Sequence, residues 1–459
     1  MKLKLLTTKC WLLLVIPFSL FFSCRKFIDI APPATQAEAS KVFATDQTAT
    51  AAAIGLYYQM ISANLNFMSG AMTIYPGLSS DDLVNVSSNS DYDAFKNNNI
   101  PITSSTVNSK LWGNAYRNIY QANSVLEGLV ASNSLSTPIK EQLEGEMLFT
   151  RALHYFYLVN LFGDVPYETA TGYRENSTLP RTPAATINAQ MISDLLRAKQ
   201  LLRGSYSVST NSRPNLMSVT ALLARYYLFQ NDWSNAGKQA DEVISSGNYR
   251  LESNLTNVFL ATSVETIYQL ARPTNNTVEG SVFIPISGTV RPAFTITSSL
   301  LSKFEPNDNR KTNWLKSNIV SGVAHYYPYK YKVRSSTTIT ENSVVIRLAE
   351  IYLIRSEARA QLNDLTGSRS DLNIVRTRAG LTTTTAVTRP ELVSAVLEER
   401  QLEFFAEWGH RWFDLKRTGA ANTILGALKG SNWQPEDQLY PIPQAQILLN
   451  PVLTQNKGY

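Results

Sequence analysis

Cysteine is nearly missing from this chain: Cys10 and Cys24 are the only two in 459 residues. A mature chain starting at Cys24 would hold one thiol. That excludes an internal disulfide, a cysteine zinc site and catalytic cysteine chemistry. Histidine is scarce too. His154, His325 and His410 lie far apart and form no HExxH pair, so no metal site or cofactor is expected. Charged residues make up only 17%, against about 25% in an average protein. The polar surface must then be built from Ser, Thr, Asn, Gln and the 22 Tyr. Such a surface suits an exported protein that meets neutral or polar ligands. No basic cluster interleaved with aromatics stands out, which argues against nucleic acid. Neither a G-x-S-x-G elbow nor a convincing triad is present. What the chain does have is 44% hydrophobic residues, ample for a buried core and incompatible with general disorder.

The first 23 residues read as an export signal. Lys2, Lys4 and Lys9 precede the apolar run Trp11 to Phe22, which is too short to span a bilayer comfortably. Removing them lowers the net charge from +6 to +3. Ser23-Cys24 closes the run and resembles a bacterial lipobox with Cys24 as the acylated residue. Phe21 and Phe22 stand where Leu and a small residue are usual. Plain secretion with a free thiol is the competing reading.

The mature chain reads as mainly helical. Apolar or small residues recur at three- and four-residue spacing over 46–64, 108–130, 138–162, 186–203, 216–231, 233–246, 343–363, 367–379 and 390–406. Pro138 and Pro390 sit at first-turn positions, and Gly163-Asp-Val-Pro166 reads as a helix stop. Two short helices joined by Gln230-Asn-Asp232 carry Ala221, Ala224, Ala236 and Ala240. Small residues there permit close packing, as in the paired helices of tetratricopeptide arrays, though no strict repeat is found. Between 250 and 342 Gly, Pro, Thr and Asn become frequent. Strand-like runs appear at Thr266–Leu270 and Ser281–Ile286. The stretch 65–107 is similarly loop-like. Loops this long often carry binding function.

Five segments, in order, resemble the SusD/RagB family of outer-membrane nutrient-binding lipoproteins. They are Leu111–Asn123, Arg151–Pro166, Arg347–Arg359 with Leu372–Leu381, Glu398–Arg417, and Tyr440–Pro443 with Leu449–Tyr459. The resemblance implies an all-α scaffold of four tetratricopeptide-like helix pairs with long loop and short-strand insertions. It implies one such domain over 24–459, its scaffold at about 40–64, 108–246 and 343–417 and its ligand loops at about 65–107 and 250–342. It further implies a lipid anchor at Cys24, an oligosaccharide or in some branches a peptide as ligand, and a SusC-like TonB-dependent outer-membrane channel as partner. Surface-exposed members often carry acidic residues after the acylated cysteine, whereas Arg25-Lys26 follow here.

Glu399, Arg400, Glu403, Glu407, Arg411, Asp414 and Arg417 admit two readings. One is a catalytic carboxylate cluster. The favoured one is an ion-pair network, with Glu407–Arg411 and Asp414–Arg417 closing on a helix face. Sugar rings present apolar C–H faces to aromatic side chains, while Asn, Asp and Arg bond their hydroxyls. On that logic the candidate ligand residues are Tyr75, Asp81, Asp82, Tyr92 and Phe95 in the first loop region. In the second they are Phe294, Trp314, Tyr326, Tyr327 and Tyr329. The bland alternative is that each anchors its loop on the scaffold. A glycoside hydrolase is the rival function. It would need two carboxyls about 5–9.5 Å apart across a cleft, and Asp81 and Asp82 are adjacent with no obvious partner.

Overall fold

In a computed structural model the chain is described over residues 39–203 and 211–459. The leader, Cys24 and the proline-rich lead at 27–33 lie outside that range. Ten helices organise the body: α1 (Asp46–Ile61), α2 (Gly113–Ala131), α3 (Thr137–Phe162), α4 (Ala184–Leu201), α5 (Leu216–Phe229), α6 (Trp233–Ser245), α7 (Leu348–Gln361), α8 (Leu365–Arg378), α9 (Arg389–Phe404) and α10 (His410–Arg417). Each of α1 to α8 packs on the next, and α9 closes against α7 and α8. The array runs through the whole scaffold, and the chain leaves it twice for the long insertions.

Local chemistry sets the boundaries. Pro138 and Pro390 occupy the first turns of α3 and α9, and Thr388 caps α9 in a reciprocal box with Glu391. Gly163 ends α3 at φ 72°, a conformation that favours glycine. Asn231 adopts φ 55° between α5 and α6, and Asp232 caps α6 by accepting from Asn235 N–H at 3.1 Å. Ala221, Ala224, Ala236 and Ala240 are fully buried. Larger side chains at these positions would force overpacking.

Three departures from the sequence pattern matter. Residues 343–347 form a strand, not the first turn of a helix. The β-branched run Val344-Val-Ile346 pairs antiparallel with Thr266–Leu270 before α7 begins. Ser281–Ile286 is no strand either, because Thr277 caps a short helix at Val278–Phe283. The stretch 65–107 is less irregular than its composition implies and contains helices at Ala71–Ser79 and Ser90–Lys96.

Candidate ligand-binding site

The two insertions are one structure. Leu83–Asn85 of the first pairs antiparallel with Phe294–Ile296 of the second. Beneath this pair, Tyr75 packs on Phe95 (4.6 Å between ring centres) and Tyr92 on Phe294 (4.8 Å). Four of the candidate aromatics are thus brought together, as an internal cluster. Tyr75, Phe95 and Phe294 are buried, and only Tyr92 keeps a partly open face. Burial raises the Tyr75 hydroxyl above its ordinary range.

Asp81 and Asp82 are also buried. Asp81 accepts two bonds from Arg411 of α10, at 2.7 and 2.9 Å, and Asp82 accepts from Gln401 of α9 at 3.0 Å. These acids tie the first insertion to the scaffold. Burial and the neighbouring Asp81 push the Asp82 carboxyl up to about 7. Arg411 overcomes the burial of Asp81 and holds it below the usual value.

Trp314 is 0% exposed. Its indole N–H donates to the Leu255 carbonyl at 2.9 Å, and the Lys330 ammonium sits 4.6 Å from its ring centre. Tyr327 is buried on the hairpin formed by Leu315–Val320 and Val323–Pro328, while Tyr326 and Tyr329 are half-buried. Trp314 and Tyr327 therefore act as anchors, offering no open ring face. Loop aromatics this large are cheaper folded inward than exposed. Trp314→Phe should lower stability by about 1–2 kcal/mol, because the Leu255 carbonyl loses its donor. Ligand retention should stay unchanged. Denaturation and an affinity gel run side by side check both; a retention loss at unchanged stability would return Trp314 to the site.

The acidic-basic motif forms a buried ion-pair network. Glu403 accepts from Arg310, Arg347 and Arg378. Arg347 also bonds Glu265 and Glu407, both at 2.9 Å. Arg310 bonds Glu399 at 2.6 Å, and Lys330 bonds Glu407. Asp414–Arg417 closes at 2.7 Å as expected. Glu407–Arg411 does not. Ala406, Trp408 and Gly409 all have positive φ, so Glu407 lies in a tight link between α9 and α10 and the four-residue spacing carries no helical meaning. Glu407 turns to Arg347 and Lys330, and Arg411 to Asp81.

An open pocket does exist in the second insertion. It has a volume of about 230 Å³ and is walled by Asn64, Arg272, Asn275, Asn276, Thr277, Ser281 and residues 334–336. Its walls approach closely at Gly280, where a Cβ would stand 2.4 Å from the Val333 carbonyl. Asn276 is committed to the wall. It donates to Thr338 O at 2.8 Å and accepts from Thr340 and Glu341 N–H. Beside Arg272, Ala271 and Pro273 border a second depression of about 280 Å³ with Ile54, Tyr57 and Tyr58. The Tyr58 ring is 56% exposed. None of the sequence candidates lines this pocket. The run Arg272-Pro-Thr-Asn-Asn-Thr277, dense in amides and hydroxyls, was the available signal.

A larger cleft of about 510 Å³ lies elsewhere, between the start of α2, residues 166–177 and the C-terminal segment. Trp112, Tyr116, Tyr120, Glu168 and Tyr173 line it. Burial pushes the Glu168 carboxyl up to about 7.

The helical array with paired insertions and an amide-rich pocket defines a binding scaffold, and comparison with known proteins agrees. A family model described as "SusD family" matches residues 297–459, and one described as "Starch-binding associating with outer membrane" matches residues 26–228. SusD-like protein P25 of Formosa agariphila is 25% identical, over 97% of this chain and 99% of its own. A SusD superfamily protein from Bacteroides vulgatus superposes with a TM-score of 0.80 at 20% identity, covering 91% of this chain and 100% of that one. A laminarin-binding SusD-like protein superposes with a TM-score of 0.75 at 23% identity, covering 90% and 99%. The chain belongs to the SusD/RagB family.

Proposed function

We propose that this protein is a cell-surface glycan-binding lipoprotein. It captures an oligosaccharide in the pocket of the second insertion and passes it to a SusC-like TonB-dependent channel in the outer membrane. The observation that carries the reading is the pocket itself. Its amides, hydroxyls and guanidiniums match sugar hydroxyls, and the exposed Tyr58 ring beside it offers a stacking face. At about 230 Å³ it lies below the ~300–1,000 Å³ of drug-sized sites, which fits one sugar unit of a longer chain. The relatives support the same class: one matching description names starch and one similar structure names laminarin. On this reading the protein binds its glycan without catalysis, as the starch-binding and laminarin-binding descriptions of its relatives name binding. A hydrolase would need a carboxyl pair in the pocket.

Tyr58→Ala combined with Asn275→Ala should weaken retention on a glycan affinity gel by about tenfold, equivalent to losing one stacking contact and one hydrogen bond. Tyr120→Ala, in the larger cleft, should leave it unchanged. The opposite pattern would move the site to the larger cleft. Retention of peptides and of no glycan would replace sugar by peptide as the ligand, and turnover of the glycan would make the protein an enzyme.

A further inference from the structure

The loop pocket is electrostatically one-sided. Arg272 and Arg334 both line it, and no described lining residue is acidic. Arg272 is half-buried yet makes no hydrogen bond or ion pair among the described residues. This contrasts with the many guanidiniums of the network, which are bonded to carboxylates. Burial lowers its proton affinity, partly offset by the field of Glu279. Glu279 itself is buried in the short helix behind the wall and accepts from the Thr73 hydroxyl at 3.2 Å. Among the described residues Arg334, which is exposed, bonds through Nε alone, donating to the Ile284 carbonyl at 3.0 Å.

Arg272 is partly desolvated, the field of Glu279 offsets only part of that cost, and the exposed Arg334 lines the same cavity. An anion in the cavity would relieve the remaining cost at Arg272 and meet a second guanidinium at Arg334. The planar guanidinium fork also matches carboxylate and sulfate oxygens in bidentate fashion.

Building on the glycan reading, we infer that the sugar unit seated here carries a negative substituent, a carboxylate or a sulfate ester, held by Arg272 and Arg334. Asn64 and Asn275 are then left for ring hydroxyls, and Tyr58 for the adjoining sugar.

The test compares ligands that differ in charge alone. Oligogalacturonate is titrated against its methyl ester, and a sulfated galactan oligomer against its desulfated form, by calorimetry on the purified wild-type chain. The expected result is that one charged member binds about tenfold tighter or more than its neutral twin at low salt. The gap should shrink as ionic strength rises. Which pair shows it identifies carboxylate or sulfate. Arg272→Gln, at an unbonded and half-exposed position, should retain the fold by circular dichroism and remove most of the gap. Equal binding of charged and neutral twins, or of neutral glucans only, overturns the inference while leaving glycan capture standing. So does a charge preference that survives the double change at Arg272 and Arg334. Absence of binding to every glycan, charged or neutral, removes the glycan reading and this inference together.

Discussion

Glu403→Gln is expected to lower the unfolding free energy by about 3–5 kcal/mol, the cost of breaking a buried ion pair from one side. Glu403 is fully buried and receives three guanidiniums, from Arg310 on the second insertion, Arg347 ahead of α7 and Arg378 at the end of α8. A glutamine keeps the volume but removes the charge, and half of its polar end is a donor. At least one guanidinium would then face an amide N–H in the core. A fall in the urea midpoint, followed by circular dichroism and by Trp fluorescence, reads the effect. A midpoint within experimental scatter of wild type would show that the remaining carboxylates suffice to hold the three cations.

The same residue predicts a pH signature. Burial alone would raise the Glu403 carboxyl, but Arg378, Arg347 and Arg310 outweigh it and hold it far below the ordinary carboxylate range. Its folded value is therefore depressed. Its contribution is present above the unfolded value of about 4.3 and disappears as pH falls through the folded one. Asp414 behaves alike, held down by Arg400 and Arg417 against its burial. Asp82 works in the opposite sense. Raised to about 7 by burial and by Asp81, it contributes stability at low pH that is lost as pH rises from the ordinary aspartate range through neutrality. Stability should thus decline on both sides of mildly acidic pH, and Glu403→Gln should flatten the acid limb alone.

The scaffold was largely legible in the sequence because its determinants are local. Proline at 138 and 390, glycine at 163 and the alanines of α5 and α6 act within a few residues of themselves. The nine helical stretches recur with shifted ends, except that 343–347 pairs as a strand. That strand was hidden because its partner lies some 75 residues earlier in the chain. The site was poorly legible for a related reason. Asp81 meets Arg411 across 330 positions, so a carboxylate that looks like a loop ligand is an anchor. Trp314 reads as an exposed sugar platform until Leu255 and Lys330 are seen to enclose it. Aromatic residues signal burial and binding with the same letters, and only the fold separates the exposed Tyr58 of α1 from the buried Tyr75 of the first insertion. The pocket proposed as the site is made of Asn, Thr, Ser and Arg, residue types too common in loops to stand out singly.

Cys24→Ala should transfer the protein from the membrane fraction to the soluble one almost completely. Among the described residues no helix is long and apolar enough to cross a membrane. On the proposed reading, the hold on the bilayer rests on acyl chains at Cys24. Each buried methylene contributes about 0.8 kcal/mol, and one acyl chain alone binds only marginally, so two or more give a stable anchor. Alanine offers no sulfur for the first attachment, and the whole sum is lost at once. Mass spectrometry of the wild type should find Cys24 as the acylated first residue. The variant with its leader removed should stay in the supernatant with soluble proteins and still bind the glycan with unchanged affinity, since the proposed pocket is built from residues 64 and 272–336. An unmodified Cys24 in the wild type, or a leader-free variant that stays with the membrane, would mean that another surface holds it there. On the proposed reading anchoring and capture reside in separate parts of the chain, so either can fail without the other, and growth on the glycan would require both.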